Sequence, residues 1–427
     1  MKKYLENLPQ EIKKIIKLAS LTARDLDVRA YLVGGFVRDL LIGEDNYDLD
    51  ITVVGEGIIF AEQLGRKLGA TKVMRHRRFG TATLLLKDGQ KIDIATARKE
   101  SYAQPAALPV VEKGSLKEDL FRRDFTINAM AISINADDFG NLIDYFKGRS
   151  DLKNKSIRVL HNLSFIDDPT RIYRAVRFEQ RFNFKIEPLT HGLLKLAVEK
   201  QLLSKTEPQR MRDELILILK EAVPFKYIRR LNRLGALKCI SPGIGSLVES
   251  RIFFKLKREL KWFDRACASH RGIDTWLLYF MALIKGLSLS KTKDMLKKLV
   301  FGKGEEKRVL AYKELGDKIS KELSSGALNP AKIFYLLEPL SYEMIIFIRA
   351  NSSSKILRRR MEDFFCYYHG LRLHITGDDL RRLGVRPGPK FKLIFDAIFV
   401  AKLNSHLSTK AQELTLAKRI IRKGQFY

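Results

Sequence analysis

Cysteine is scarce in this chain of 427 residues, and the cysteines that occur follow no metal-binding pattern. Cys239, Cys267 and Cys366 are odd in number and lie far apart, without the spacing of zinc ligands. They are typical of a protein of the reducing cytoplasm and not of one held together by disulfides.

Long hydrophobic runs are also missing. The longest run, residues 276–284, is too short to cross a membrane. The first residues, MKKYLENLPQEIKK, carry charges where a signal peptide needs an apolar core. The sequence shows neither an internal repeat nor a low-complexity tract. We therefore expect a cytoplasmic protein without a membrane partner.

Acidic residues are too few to balance the basic ones. The chain has 79 Lys and Arg against 49 Asp and Glu, a net charge of +30. This charge is well beyond what solubility needs, and it predicts a polyanionic partner; RNA, DNA and an anionic membrane surface would all fit. The length predicts two to four domains, and the 45% of hydrophobic residues is enough to bury their cores.

Residues 31–54, YLVGGFVRDLLIGEDNYDLDITVV, read as a strand, a Gly-Gly turn, a short helix, a loop and a second strand. Gly34 and Gly35 let the backbone turn sharply and approach a ligand closely. The helix over residues 36–42, which Gly43 ends, directs its amide groups and its positive end at the glycines. Such a turn is a predicted phosphate site. Amphipathic helices are also predicted over residues 9–24 and 58–69.

Two carboxylates follow in the second strand. Asp48 and Asp50 share one face of the strand because side chains alternate along it. Neighbouring carboxylates repel unless a cation lies between them, and Mg²⁺ prefers a few carboxylates together with phosphate oxygens. The pattern therefore predicts a nucleotidyl-transfer site. The alternative is a glycine turn followed by a solvated, Asp-rich strand end.

A hairpin can add a third carboxylate. Residues 82–86 and 91–95 are predicted strands joined by Asp88-Gly89, a strong hairpin signal. If this hairpin pairs beside the Asp48–Asp50 strand, Asp93 joins the pair, and an exposed strand aspartate is an equally weighted alternative. Residues 98–116, rich in Pro, Ala and charge, predict a mobile loop across the mouth of the site.

Two motifs carry a resemblance to a known family. Residues 32–50 resemble LVGGxVRDxLLG…DxD, with Ile42 in place of the second leucine, and residues 119–129 match DLxRRDFTINA without a gap. Both motifs are similar to those of the tRNA nucleotidyltransferases and bacterial poly(A) polymerases, in their bacterial and eukaryotic class. A lone Gly-Gly, DxD or RRD would be a common surface pattern, whereas the combination is far more specific.

The resemblance implies roles for individual residues of this first half. Asp48 and Asp50 would hold two Mg²⁺ ions, with Asp93 as a possible further catalytic carboxylate. Asp124 would accept a hydrogen bond from the ribose 2′-hydroxyl. The triphosphate and sugar would be bound by Gly34, Gly35, Arg38, Arg122, Arg123, Asp124 and Asn128.

After residue 150 strand signals nearly vanish and helical periodicity dominates. Residues 167–171, DDPTR, open the first long helix and can be read simply as a well-capped start. They also resemble the family's base-reading motif ED-x-x-R, in which Asp167 replaces the usual Glu. The resemblance assigns base recognition to Asp168, Arg171, Arg174 and Arg177.

Selection of a base by these side chains follows from their hydrogen-bond donors and acceptors. A carboxylate accepts from the exocyclic amine of C or A, and a guanidinium donates to the ring nitrogen. G and U present a carbonyl and an N–H at these places, so that each meets the wrong partner. A buried unsatisfied group costs about 1–3 kcal/mol, which is enough for rejection when two groups are wrong.

Other residues of the helical part are predicted to have structural roles or to contact RNA. Arg210 and Glu214 are predicted to brace the helices. The turn GVRPGP before residue 390 resembles the family's tail and could equally be an ordinary helix start. Contact with tRNA is predicted for Arg358, Arg359, Arg360 and Arg386.

The resemblance implies an α/β nucleotidyltransferase (polymerase-β-like) head with a mixed sheet, followed by an all-helical neck, body and tail. The boundaries are residues 1–150 for the head, 151–215 for the neck, 216–330 for the body and 331–427 for the tail. The implied reaction adds or repairs the 3′-terminal CCA of tRNA from ATP and CTP, with Mg²⁺ and release of pyrophosphate. Residues 96–120 and DDPTR favour addition of the terminal A alone. Poly(A) tailing and a catalytically inactive, basic RNA-binding protein are the alternatives.

Overall fold

The computed structural model describes residues 2–245, 250–266, 272–405 and 407–423. The chain divides into two compact units. The first comprises Met1–Ile218 and Lys226–Pro242, and the second comprises Leu219–Phe225 and Gly243–Tyr427. This division is coarser than the expected head, neck, body and tail, whose boundaries remain a proposal.

The elements follow one another in a mixed α/β half and a helical half. The first half contains α1 (Lys2–Glu6), α2 (Gln10–Asp25), β1 (Arg29–Val33), α3 (Gly35–Ile42), β2 (Leu49–Val54), α4 (Gly57–Leu68), β3 (Lys72–His76), β4 (Thr81–Leu85), β5 (Lys91–Thr96), β6 (Arg98–Ser101), β7 (Val110–Lys113), α5 (Leu116–Phe121), β8 (Ala131–Ser133), β9 (Leu142–Ile143), α6 (Gly148–Lys153), β10 (Ser156–Ile157), α7 (Ser164–Asp167), α8 (Arg171–Phe182), β11 (Lys185–Ile186) and α9 (Pro188–Glu199).

Only helices follow among the α and β elements of the described residues. They are α10 (Pro208–Leu219), α11 (Pro224–Arg233), α12 (Ser250–Ala266), α13 (Thr275–Leu283), α14 (Leu289–Lys298), α15 (Lys303–Ser324), α16 (Pro330–Leu337), α17 (Tyr342–Asn351), α18 (Lys355–Asp363), α19 (Gly377–Arg382), α20 (Pro389–Ser405) and α21 (Lys410–Lys423).

A seven-stranded mixed sheet forms the centre of the first unit, in the order β3-β4-β5-β2-β1-β8-β9. Strand β2 is antiparallel to β1 and parallel to β5, and β5 is antiparallel to β4. The apolar residues of β2 that alternate with its polar ones, Leu49, Ile51 and Val53, are at most 1% exposed. The predicted polymerase-β-like head with a mixed sheet is confirmed in this respect.

Most predicted local elements are present. Helices α2, α3 and α4 lie within one or two residues of their predicted bounds. Gly43 and Gly69 follow α3 and α4 with φ of 74° and 65°, a backbone conformation that glycine adopts without strain. The hairpin turn at Asp88-Gly89 joins β4 and β5.

The expected mobile loop over residues 98–116 is wrong in its conformation, because part of this segment forms a hairpin. Strands β6 and β7 pair antiparallel, with Lys99 opposite Glu112. The two side chains form an ion pair with a nitrogen–oxygen distance of 2.8 Å. Cross-strand pairs of opposite charge stabilise a sheet, and the Pro- and Ala-rich residues lie between the two strands, in residues 102–109.

The helical half departs from the prediction in one detail. Strands β10 and β11 form a two-residue parallel ladder inside the expected all-helical neck. No helix of the described residues is long and apolar enough to span a membrane. Cys366 carries an exposed free thiol, Cys239 is partly buried, and Cys267 lies outside the described residues.

Gly148 provides a test of how tightly the segment that precedes β8 packs against α6. A Cβ atom at this position would lie 2.2 Å from the carbonyl oxygen of Thr126 and 2.9 Å from Cγ of Met130. Gly148→Ala should therefore lower the free energy of unfolding by about 1–3 kcal/mol or more, since a backbone carbonyl cannot move aside. Thermal or urea unfolding of the whole chain measures this loss.

Gly192 offers the matched control for that substitution. It lies inside α9, and a Cβ atom there would meet nothing within 4 Å. Gly192→Ala should be neutral or stabilise by up to about 1 kcal/mol, because alanine favours a helix over glycine. Equal effects of the two substitutions would contradict the close packing of Gly148.

Candidate active site

Three carboxylates meet at one edge of the sheet. Asp50 in β2 lies directly opposite Asp93 in β5, and Asp48 immediately precedes β2. Asp93 is held by Thr83, whose hydroxyl donates to its Oδ1 at 2.5 Å. The hairpin therefore does pair beside the Asp48–Asp50 strand, and Asp93 lines the same cleft as the other two carboxylates.

The Gly-Gly turn borders these carboxylates. Gly34 has φ of 70°, and a Cβ atom there would lie 2.7 Å from Nη1 of Arg123 and 3.4 Å from Oδ2 of Asp50. A side chain at this position would strain the backbone and displace the guanidinium. The glycine thus leaves room for the guanidinium of Arg123 beside the turn.

The environment of Asp50 opposes its negative charge. Burial raises the pKa of this carboxyl to about 6, Arg123 counteracts the shift, and the neighbouring carboxylates of Asp93 and Asp48 add to it. A bound cation would relieve this repulsion.

The donor set fits a divalent metal ion that is shared with a substrate. Among the described residues no cluster of three or more His, Cys, Asp or Glu side chains could hold a metal alone. Asp48 and Asp50 supply hard oxygen ligands, and Mg²⁺ commonly takes one or two carboxylates together with phosphate oxygens and water. The residues present are therefore compatible with metal binding that the triphosphate completes.

A single buried carboxylate organises two arginines beside this edge. Asp119 is fully buried, and its Oδ1 accepts hydrogen bonds from Nε and Nη2 of Arg122 at 3.0 and 2.7 Å. Its Oδ2 accepts from Nη2 of Arg123 at 3.1 Å. Burial by itself would raise the pKa of Asp119, but the attraction of Arg123 and Arg122 outweighs this effect and lowers it. The two cations are thereby fixed in orientation.

A chain of hydrogen bonds connects α3 to α8 along the cleft. Arg38 donates from Nη1 to Oδ1 of Asn128 at 2.6 Å, and Asn128 donates to Oδ1 of Asp124 at 2.9 Å. Asp124 accepts in turn from Nε and Nη2 of Arg174 at 2.8 and 2.6 Å. Arg38 is also paired with Asp39 through Nε and Nη2, both at 2.8 Å. Arg38, Asn128, Asp124 and Arg174 thus form one network.

The carboxylate of Asp124 already accepts hydrogen bonds from several groups of this network. Both of its oxygens accept hydrogen bonds, and Oδ1 also accepts from the backbone N–H of Phe125 at 2.8 Å. Burial raises its pKa, but Arg174 and Asn128 outweigh the burial and bring the pKa down to about 2. A contact of Asp124 with the ribose, as predicted, would be an additional bond to an ionised carboxylate.

The side chains of the predicted base-reading pair, Asp168 and Arg171, are held in place by hydrogen bonds to other residues of the protein. Oδ2 of Asp168 accepts from Nη2 of Arg210 at 2.7 Å. Arg171 is 4% exposed; its Nη1 donates to the hydroxyl of Ser164 at 2.5 Å, and its Nη2 donates to the carbonyl of Arg122 at 2.7 Å. These bonds fix the orientation of both side chains before any base is bound.

The hairpin β6–β7 contributes further residues. Glu100 accepts from Nη2 of Arg98 at 2.8 Å, from Nη1 of Arg122 at 3.1 Å and from the hydroxyl of Tyr102 at 2.9 Å. Burial and the charge of Glu100 raise the pKa of Tyr102. The predicted position of this segment at the cleft agrees with the structure, although its conformation does not.

One cleft of about 930 Å³ in the first unit unites these residues. All the residues predicted for metal, triphosphate, sugar and base contact line it. They are Gly34, Gly35, Arg38, Asp48, Asp50, Asp93, Arg122, Arg123, Asp124, Asn128, Asp168, Arg171, Arg174 and Arg177.

The arginines predicted for tRNA contact belong to the second unit and have different surroundings. Arg358 donates to the buried carboxylate of Glu259 at 2.6 Å. Arg360 donates to the carbonyls of Leu323 and Ser325 at the end of α15, at 2.8 and 2.7 Å. Arg359 and Arg386 are exposed. Two of the four guanidinium groups are therefore engaged within the protein.

Two residues that shape the cleft, Asp119 and Glu100, were not singled out by the sequence, and two others, Glu214 and Arg210, were predicted only to brace the helices. Asp119 and Glu100 lie near arginines that were predicted to bind the triphosphate. In the sequence, the signal that could have identified these two residues was their negative charge. Glu214 accepts from Nη1 of Arg174 at 3.1 Å, and Arg210 holds Asp168. The last two agree with their predicted bracing role, and the side chains that they brace are those of Arg174 and Asp168.

Family profiles match two parts of the chain. The profile described as "Poly A polymerase head domain" matches residues 30–158. A second, described as "Probable RNA and SrmB- binding site of polymerase A", matches residues 183–247. The first match covers the sheet with its three carboxylates, and the second covers part of the helical region that follows.

Relatives are similar over most of the chain. An A-adding tRNA nucleotidyltransferase of Geobacter sulfurreducens is 38% identical over 97% of this chain but only 48% of its own length. This chain thus spans about half the length of some curated relatives that it matches. An A-adding tRNA nucleotidyltransferase of Halalkalibacterium halodurans is 32% identical over 96% of this chain and 92% of that protein.

A solved structure agrees with this relationship. A CCA-adding enzyme in an apo form superposes with a TM-score of 0.76 at 34% identity, covering 99% of this chain and 98% of that one. With a relative of nearly equal length and a shared fold over almost every residue, the chain belongs to the family of tRNA nucleotidyltransferases and bacterial poly(A) polymerases.

Proposed function

We propose that this protein transfers nucleotides from ATP, and from CTP, to the 3′-hydroxyl of tRNA, completing the terminal CCA with release of pyrophosphate. The observation that carries the proposal is the meeting of the carboxylates Asp48 and Asp50 with Asp168 and Arg171 in one cleft. A site for phosphoryl chemistry and a site for reading a base are thus close enough to act on one nucleotide.

The triphosphate would lie against the Gly-Gly turn. Gly34 and Gly35 stand at the N-terminus of α3, whose amide groups favour an anion. Arg123 and Arg122, oriented by Asp119, add positive charge on the neighbouring side. These groups bind and orient the phosphates so that the α-phosphate faces the attacking hydroxyl.

Asp48 and Asp50 would hold Mg²⁺, with Asp93 beside them. When bound, the metal ions would lower the pKa of the attacking hydroxyl and neutralise charge on the departing pyrophosphate. The residues of the chain hold the nucleotide and the RNA end in place, and Arg123 remains close to the negative charge of Asp50.

The base would be read by Asp168 and Arg171. Asp168 would accept from the exocyclic amine of A or C, and Arg171 would donate to the ring nitrogen. Because Arg210 and Ser164 hold these side chains, the protein itself would take the place of a template strand. G and U would present mismatched groups at both contacts.

A narrower version of the proposal is that the protein adds only the terminal A. It is supported by the two relatives described above, both of which are named A-adding enzymes. Other relatives are named CC-adding or CCA-adding enzymes. A cytoplasmic location would match a tRNA substrate and the sparse cysteines.

Incubation with two RNAs tests both versions of the proposal. One tRNA ends before C-C-A and the other ends before A, and each labelled nucleotide is supplied separately with Mg²⁺. We expect a single AMP on the RNA that ends in C-C, and no incorporation of G or U. C incorporation on the shorter RNA would establish full CCA addition.

The alternatives give different results in the same assay. A long ladder of A residues would identify poly(A) tailing. Binding of both RNAs without incorporation of any nucleotide would identify an inactive RNA-binding protein, and would contradict the proposed reaction.

A further inference from the structure

Two neighbouring arginines, Arg122 and Arg123, directly follow α5 and line the cleft. Their side chains are 18% and 17% exposed, and both guanidinium groups donate to the buried carboxylate of Asp119. Because residue type, position and exposure are alike, a difference in function must come from the other groups that each guanidinium contacts.

Every nitrogen of the Arg122 guanidinium is bonded to a carboxylate. Nε and Nη2 donate to Oδ1 of Asp119 at 3.0 and 2.7 Å, and Nη1 donates to Oε1 of Glu100 at 3.1 Å. The side chain of Glu100 is itself only 7% exposed. A phosphate that approached Arg122 would meet two negative charges already bonded to this group, and like charges repel strongly at short range. Arg122 is therefore poorly suited to bind a further anion.

Arg123 keeps donors for a ligand. Among the described residues, its hydrogen bonds come from Nη2, which donates to Oδ2 of Asp119 at 3.1 Å and to the hydroxyl of Thr52 at 3.4 Å. Its Nε is buried and has no hydrogen-bond partner in this part of the chain. Nη1 borders the Gly-Gly turn, since a Cβ atom on Gly34 would lie 2.7 Å from it. A buried donor without an acceptor is unfavourable, and a phosphate at the turn would supply acceptors.

The backbone of Arg122 is joined to a residue that the proposed function assigns to the base. Its carbonyl accepts from Nη2 of Arg171 at 2.7 Å. Arg171 is 4% exposed, so that protein groups rather than solvent determine the direction of its guanidinium. Asp119 and Glu100 hold the side chain of Arg122 from two elements, α5 and β6, and they thereby also fix the carbonyl that orients Arg171.

We propose that Arg123 is the arginine of this pair that contacts the triphosphate, and that Arg122 is a positioning residue that holds Arg171 for the selection of the base. This inference rests on the proposed function, and it divides between the two residues a role that their side-chain chemistry alone would give to both. Arg123 acts equally on all nucleotides, because they share the triphosphate. Arg122 acts on the difference between one base and another.

The two arginines are matched controls for each other. Arg122→Gln and Arg123→Gln remove the same charge from neighbouring positions of equal exposure, and each removes one partner of Asp119. Two measurements separate their roles. The affinity for inorganic triphosphate, by equilibrium dialysis with Mg²⁺, reports the phosphate contact without a base. The ratio of kcat/KM for ATP to that for GTP, on a tRNA that ends in C-C, reports the selection of the base.

Arg123→Gln should weaken the binding of inorganic triphosphate by about 10- to 100-fold, the effect of losing a charge-assisted hydrogen bond, and leave the ratio of ATP to GTP unchanged. Arg123→Lys should recover most of this affinity, because an ammonium group also binds phosphate as a point charge. Arg122→Gln should keep the affinity for inorganic triphosphate and lower the ratio of ATP to GTP several-fold. Arg122→Lys should not restore the ratio, since lysine lacks the planar fork that bonds to both carboxylates.

Glu100→Gln is a second variant that alters neither arginine, and it should lower the ratio of ATP to GTP as Arg122→Gln does. It carries the test if thermal unfolding shows that Arg122→Gln does not fold. An equal loss of inorganic-triphosphate affinity in the two glutamine variants of the arginines would overturn the division of roles, and so would an unchanged ratio when Arg122 or Glu100 is replaced. If the wild type transfers no nucleotide to the tRNA, the proposed function fails instead.

Discussion

Replacing Asp48 or Asp50 with alanine should abolish nucleotide addition while tRNA affinity stays unchanged. The two carboxylates occupy one edge of the sheet with Asp93, and burial together with mutual repulsion already raises the pKa of Asp50 to about 6. They supply the oxygen ligands of the proposed metal site. Loss of either should cost several kcal/mol of transition-state stabilisation, roughly a thousandfold or more in rate.

Primer extension and filter binding on the same preparations would measure the two properties separately. Asp45→Ala is a suitable control, because Asp45 is exposed in the same loop and does not line the cleft. Asp93→Ala distinguishes the two interpretations of that residue: a large loss of rate is expected if it acts with Asp48 and Asp50. Full activity of either the Asp48 or the Asp50 variant would rule out the metal assignment.

Substitution of Arg171 by alanine should weaken selection among nucleotides as well as the rate. The normal nucleotide loses a charge-assisted donor to its ring nitrogen, while G and U lose a mismatch. The expected loss for the normal nucleotide is about 1–3 kcal/mol, or roughly 5- to 150-fold in kcat/KM. The difference in kcat/KM between the correct and the incorrect nucleotides should become smaller, and metal binding should be unchanged.

The assay is kcat/KM for all four nucleotides on one tRNA primer. Arg171→Lys is the matched variant, since it keeps the charge but loses the planar fork that bonds to Ser164 and to the carbonyl of Arg122. Asp167→Glu should be mild, because Asp167 does not line the cleft. An equal loss for all four nucleotides in Arg171→Ala would make Arg171 a structural brace.

The meeting of the carboxylates at one edge of the sheet could be predicted because its signals are local. The apolar strand, the paired glycines and the alternation around Asp50 all act within a few residues of one another. The hairpin signal at Asp88-Gly89 was also local, and it was enough to bring Asp93 beside β2. Short-range patterns therefore accounted for the positions of the carboxylates and for the Gly-Gly turn.

The supporting contacts could not be predicted because they join distant parts of the chain. Arg358 is part of a basic triplet that indicated an RNA surface, yet its partner Glu259 lies 99 positions away and is fully buried. Arg210 reaches Asp168 across 42 positions. A charged side chain gives the same sequence signal whether it faces solvent or a buried partner, and only the fold distinguishes the two.

The pairing of β5 with β2 has a consequence for protein engineering. Asp93 faces the cleft only in the observed register, so a single residue inserted in β5 before it would direct an isoleucine inward and turn the carboxylate to the opposite face. The exposed turn at Asp88-Gly89 lies a few positions away and carries no such constraint. A tag or reporter sequence could be accommodated at that turn, whereas neighbouring positions along the strand would tolerate no change of length.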